Sequence, residues 1–118
     1  MIGRLDTVVI DCPDPAALAE FYADLLGLPI TRGDDDWFTI GGDGDCRLSF
    51  QLAPDLHPPQ WPDPRHPQQF HLDVEVDDIE IAEKQVLALG AERLHDEPTG
   101  LRVYVDPAGH PFCLVFDP

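Results

Sequence analysis

Arg102–Phe116 reads RVYVDPAGHPFCLVF: two short runs of β-branched and aromatic residues flank Asp106-Pro107-Ala108-Gly109-His110-Pro111. Such runs favour strands. Between them, proline restricts φ and glycine supplies a conformation that other residues resist, so the six residues predict a tight turn. In the strand after the turn, alternation puts Phe112, Leu114 and Phe116 on one face and Cys113 and Val115 on the other.

Upstream of this hairpin, Phe70–Val76 alternates strictly, with His71, Asp73 and Glu75 against Leu72, Val74 and Val76. That is the pattern of a strand with one buried face. Asp77 or Asp78 supplies the N-cap of a helix running to Leu89, and Gly90 stops it. Ala91–Leu94 predicts a short strand and His95–Gly100 a turn. Residues 70–118 therefore read βαβββ.

The first half repeats the order. Leu5–Cys12 is a strand with Thr7, Val9 and Asp11 on one face and Val8, Ile10 and Cys12 on the other. Asp14 caps a helix over Pro15–Leu26, with proline at its first position. Leu18, Phe21, Tyr22 and Leu25 make its apolar stripe, and Gly27 ends it. Strands follow at Leu28–Thr31, Trp37–Ile40 and Cys46–Leu52, with turns at Gly33–Asp36 and Gly41–Asp45. Thr7 lies seven positions before Asp14, as His71 does before Asp78. A spacing of about 64 residues between matching positions means two copies of one supersecondary unit, each too small to bury its sheet alone. Between them, Ala53–Gln69 holds six prolines and predicts a semi-rigid extended linker in which Trp61 packs on a neighbour.

The Asp-Pro-x-Gly-x-Pro hairpin, followed by Phe112-Cys113-Leu114, resembles the last hairpin of the vicinal oxygen chelate superfamily. That group contains glyoxalase I, the bleomycin-resistance proteins and the extradiol dioxygenases. The two βαβββ halves, with Phe21-Tyr22 and Leu25-Leu26-Gly27 in the first helix, extend the resemblance over the whole chain, nearest the glyoxalase-like branch. It implies an α+β fold in one domain, residues 1–118. Module one (1–52) and module two (70–118), joined by the linker 53–69, would form a curled mixed sheet around a cavity with the helices outside.

In metal-using members, ligands come from the first and last strands of each module and are usually His, Glu or Gln. Carried over, these positions hold Thr7, His71, Ser49 or Gln51, and Cys113. His71 is the one family-like ligand, so the resemblance implies no bound cofactor. A divalent metal is the alternative, since imidazole and thiolate together suit zinc, which wants three or four protein ligands.

If Leu72, Val74 and Val76 face the helix, then His71, Asp73 and Glu75 face the cleft. His71 is the candidate general base, against the plainer reading of a solvated strand histidine. Cys113 is a candidate nucleophile if His71 lies beside it, against an inert core thiol. Trp37, Trp61 and Tyr104 are candidate aromatic walls, and Arg102 a candidate anion contact. The predicted ligand-binding set is Thr7, Trp37, Ser49, Gln51, His71, Asp73, Arg102, Tyr104 and Cys113.

The chain has 118 residues, a net charge of −16 and three cysteines. It is long enough to bury a core. Its charge repels nucleic acid and anionic lipid, and no run has the length of a membrane span, so neither partner is expected. Three cysteines make no disulfide framework, and with no signal peptide in sight they suggest the cytoplasm. Two functions follow. One is a small-molecule binding protein like the bleomycin-resistance relatives, a homodimer whose acidity suits a cationic drug or metabolite. The other is a glyoxalase- or isomerase-type enzyme using His71 with Gln51 or Glu75, with or without a divalent metal. A domain whose cavity is vestigial is the third.

Overall fold

The computed structural model describes residues 1–42, 44, 46–60, 63–68, 70–96 and 100–117, with the backbone alone for His95 and Asp96. Trp61, and with it the expected packing of that side chain, lies outside the described residues, as do 97–99 of the predicted turn. Two compact units are present, Met1–Leu56 and His57–Pro118, and each is an α+β βαβββ module.

The first unit contains β1 (Val8–Cys12), α1 (Pro15–Leu26), β2 (Ile30–Gly33), β3 (Trp37–Ile40) and β4 (Leu48–Leu52). Its four strands lie in the order β1-β4-β3-β2, with β1 parallel to β4 and the other pairs antiparallel. A parallel neighbour needs a crossover, and β1-α1-β2-β3 supplies it. The helix starts and stops where its sequence signals stand: the Asp14 carboxylate accepts from the Ala17 N–H at 3.2 Å, and Gly27 closes the other end in the left-handed conformation. Its inward residues Leu18, Phe21 and Tyr22 are buried against the face of the sheet that carries Ile10, Ile40 and Phe50. Tyr22 stacks on Phe50 with ring centroids 5.7 Å apart. Each such fully buried side chain contributes roughly 1.5–3 kcal/mol.

The second unit repeats the plan as β5 (Leu72–Glu75), α2 (Ile79–Ala88), β6 (Glu92–Asp96), β7 (Leu101–Val105) and β8 (Pro111–Val115), in the order β5-β8-β7-β6. The Asp78 carboxylate caps α2 by accepting from the N–H groups of Glu80 and Ile81. Its core redistributes bulk. Where the first unit has Tyr22, Ile40 and Phe50, equivalent positions hold Val86, Tyr104 and Leu114, all buried. The large ring has moved from the helix to the sheet, and Tyr104 stacks on Phe112 at 5.6 Å.

The turn between β7 and β8 is built around the buried carboxylate of Asp106. Its Oδ1 accepts from the N–H groups of Ala108 and His110, and the ring of His110 lies 3.1 Å from Oδ2. Gly109 has φ 95°, and a Cβ there would also press against Pro58. The proline-rich segment thus departs from a plain extended linker. It turns at Ala53–Leu56 and again at Asp63–His66, and Pro58 packs on the hairpin turn. Other element ends shift by a few residues: the first strand starts at Val8, β2 runs two residues later than predicted, and the sixth strand continues through His95 and Asp96. Among the described residues, no helix is long and apolar enough to cross a membrane.

Candidate functional site

In the first unit, alternation puts Thr7, Trp37, Thr39 and Ser49 on the sheet face opposite α1. Register brings them together, because Ser49 pairs with Val9 of β1 on one side and Thr39 of β3 on the other. The Trp37 indole Nε1–H donates to Thr39 Oγ1 at 2.9 Å. Thr39 Oγ1 lies 2.9 Å from Ser49 Oγ, which lies 2.9 Å from Thr7 Oγ1. Thr7 Oγ1 in turn donates to the Arg47 carbonyl at 3.3 Å. The indole N–H donates at one end and a carbonyl accepts at the other, while in the Thr39–Ser49 and Ser49–Thr7 pairs either hydroxyl can be the donor. Each hydroxyl oxygen also carries lone pairs that can accept.

These groups line a cleft of about 370 Å³ together with Asp6, Arg32 and Arg47. Arg47 Nη1 is 2.8 Å from the Asp6 carboxylate, and Arg32 is 3.6 Å from that of Asp34. Arg32 also lies over the Trp37 ring, 5.5 Å from its centroid. Gly41 forms part of the wall with φ 87°, and a Cβ there would collide with the Cys46 carbonyl oxygen. Gln51 shares the face of Ser49 but is exposed, two positions further along β4 beside Trp37.

In the second unit, the equivalent face carries different chemistry. Cys113 stands where Ser49 does, paired with Asp73 of β5 and Val103 of β7. His71 stands where Thr7 does. His71 Nε2 is 3.1 Å from Asp73 Oδ1, and one ligand atom each from His71, Asp73 and Cys113 lie within 4.8 Å of one another. Cys113 is buried, whereas His71 and Asp73 reach solvent. Further along β5, Glu75 lines a smaller cleft of about 290 Å³ with Asp77, Phe116 and Asp117.

Arg102 and Tyr104 are not part of this cluster. They pair with Leu114 and Phe112, on the face that meets α2. Arg102 Nη2 donates to Glu80 Oε1 at 2.6 Å, which holds its pKa up, and Nη1 is 3.1 Å from Glu83. Tyr104 donates to Glu83 Oε1 at 2.8 Å, and burial followed by that hydrogen bond pushes its pKa up to about 12. Their placement on the opposite face follows from the period of two along β7. Sequence reasoning missed Thr39, Arg32 and Arg47. Thr39 was legible, since it stands two residues after Trp37 on one strand. The arginines were not, because their approach depends on how β2 and the start of β4 are placed.

A glyoxalase-like domain family model matches residues 7–115. No curated protein matches the chain. Among solved structures, a glyoxalase/bleomycin resistance protein/dioxygenase family enzyme from Burkholderia phytofirmans PsJN is 18% identical, with TM-score 0.73, covering 97% of this chain and 98% of that one. The bleomycin-binding protein of bleomycin-producing Streptomyces verticillus, complexed with copper(II)-bleomycin, is 20% identical with TM-score 0.59, covering all of both chains. The trypanothione-dependent glyoxalase I of Leishmania major is 18% identical with TM-score 0.68, covering 98% of this chain and 87% of that one. At these identities the likeness is one of fold.

Proposed function

The chain belongs to the glyoxalase-like domain family of the vicinal oxygen chelate superfamily, and from that membership we propose that it is a small-molecule binding protein whose ligand carries N–H donors and positive charge. The observation that carries the reading is the hydrogen-bonded chain Trp37–Thr39–Ser49–Thr7 in the wall of the cleft. Its hydroxyl oxygens carry lone pairs that accept from a ligand's ammonium or amide groups. The two guanidinium groups beside it are each offset by an aspartate. The net charge of −16 attracts cations at long range. A cleft of about 370 Å³ suits one small molecule or one arm of a larger one. Exposed Phe70, Ile81 and Leu87 leave apolar area uncovered, which supports extending the proposal to a homodimer.

The test is calorimetric titration of the full chain with copper(II)-bleomycin, metal-free bleomycin, and small organic cations matched to anions of the same size. The expected result is saturable binding of cationic members, weakened by salt and lost in Trp37→Ala. Equal binding of matched anions would overturn the charge preference, and absence of saturable binding throughout the set would overturn the binding reading.

One observation favours a second reading, an isomerase- or lyase-type enzyme. Asp73 holds the His71 imidazole from one ring nitrogen, the arrangement by which a carboxylate orients a general base. Turnover of α-keto or diol substrates that disappears in His71→Ala and falls in Asp73→Asn would establish it. Turnover that survives His71→Ala would remove it.

A further inference from the structure

We propose that α2 is a strap latched by charge, which lifts from its sheet in one piece as ionic strength rises. The two helices of the chain are held by different means. α1 buries Leu18, Ala19, Phe21 and Tyr22 against its sheet. The inward stripe of α2 is Ile79, Ala82, Glu83 and Val86, and of these Val86 alone is fully buried. Charge takes the place of the missing apolar contact. Tyr104 donates to Glu83 Oε1 at 2.8 Å, Arg93 Nη1 lies 3.2 Å from the same oxygen, and Arg102 Nη1 lies 3.1 Å from Glu83 Oε2. Glu80, one turn earlier, accepts from Arg102 Nη2 at 2.6 Å. The latch thus ties the helix to β6 through Arg93 and to β7 through Arg102 and Tyr104.

Lifting an apolar helix face costs free energy in proportion to the area exposed. Lifting α2 mainly exchanges ion pairs for hydration, and charges leaving a partly buried site recover as solvation much of what they lose in attraction. The Glu83 and Arg102 side chains keep 16% and 19% exposure, so water and salt reach them. Arg102 Nη1 brings the exchange closer to balance. It is buried within ion-pair range of Glu83 but has no hydrogen-bond acceptor, and water supplies one when the helix lifts. Salt screens the paired charges and stabilises the separated ones, so it favours the open form. The sheet survives the motion, because the β5-β8-β7-β6 ladder is bonded strand to strand and does not pass through α2. Opening uncovers Tyr104 and Leu114, which the closed form buries completely, together with Arg102. Local openings of this kind are drawn from elements with few buried apolar contacts. The proposal stands on the helix side of the second unit and is independent of the cleft.

The test is native-state hydrogen exchange of the full chain, read residue by residue by NMR. It is run at about 0.05 and 0.5 M NaCl, on either side of the salt concentration where charges are screened over about 10 Å. The amides of residues 82–89 should exchange through one shared opening, more readily than those of β7 and β8. At the higher salt their rates should rise by about threefold or more, the equivalent of losing one surface ion pair. The amides of residues 18–26 in α1 should show no such rise. Glu83→Gln should raise the α2 rates by about tenfold or more, the equivalent of one hydrogen bond to a charged group, and should shrink their salt dependence. Glu80→Gln should give a smaller rise in the same amides, and the exposure of Glu80 keeps this arm independent of folding. Three results would each overturn the proposal: α2 amides exchanging no faster than those of β7 and β8, α2 rates that salt leaves unchanged or slows, or α2 rates in Glu80→Gln equal to those of the parent.

Discussion

Ser49 and Cys113 occupy the same place in two sheets. Ser49 lies between Val9 of β1 and Thr39 of β3, and Cys113 lies between Asp73 of β5 and Val103 of β7. Both are buried, and both face away from the helix of their unit. The neighbours differ, and so does the chemistry. Thr39 and Thr7 draw the Ser49 hydroxyl into a hydrogen-bonded chain, while an imidazole nitrogen of His71 and a carboxylate oxygen of Asp73 lie with the Cys113 sulfur within 4.8 Å of one another.

The middle of the hydroxyl chain is the place where its removal costs most. Ser49→Ala removes the hydroxyl partner that lies 2.9 Å from both the buried Thr39 hydroxyl and the Thr7 hydroxyl. A loss of about 1–3 kcal/mol is expected, the penalty for unpaired buried polar groups. Urea denaturation monitored by circular dichroism measures it. Ser49→Thr, which keeps the hydroxyl, separates the lost hydrogen bond from crowding.

Asp106 organises the β7–β8 turn through two backbone N–H groups and the His110 ring. Asp106→Ala therefore strands two backbone donors in a tight turn. Stability should fall by about 2 kcal/mol or more, as expected for charged hydrogen bonds. Amide exchange at Ala108 and His110 should accelerate most. Exchange that is unchanged at those two amides would show that the turn holds without the carboxylate.

The two helix caps allow an internal comparison. Asp14→Ala and Asp78→Ala should each cost about 1 kcal/mol. Asp78 accepts from two N–H groups and Asp14 from one, so the second variant should be the more damaging. Thermal denaturation of the two variants side by side decides the order.

Tyr104 predicts an alkaline limb in the stability profile. Burial, and then the hydrogen bond to Glu83, push its pKa from 10.0 up to about 12. The folded chain thus holds this proton more tightly than the unfolded chain. The associated stability is complete below pH 10.0 and is lost as pH rises from there through about 12. Denaturation midpoints measured across that range should fall, and Tyr104→Phe should flatten the fall.

Much of the architecture was legible because its signals are local. Asp14 and Asp78 mark helix starts by their own carboxylates, and the alternation in Phe70–Val76 assigns faces without reference to any other strand. The α1 bounds follow from Asp14, Pro15 and Gly27 alone. Element ends were less legible where pairing decides them. His95 and Asp96 continue β6 because Val103 and Arg102 of β7 lie alongside, which no local pattern announces.

The sequence by itself determined two βαβββ modules, the face of the first that carries Thr7 and Ser49, the face of the second that carries His71 and Cys113, and a net charge of −16. These rest on period, capping and charge, which act over a few residues or over the whole chain. Only the tertiary structure decided which of those polar residues touch. Register set Asp73 beside Cys113 and Ser49 beside Thr39, and it sent Arg102 and Tyr104 to the helix side with Glu80 and Glu83. The physical reason is that pairing across strands joins residues some forty positions apart in the chain (Asp73 and Cys113 among them), and a shift of one residue would turn every side chain to the opposite face.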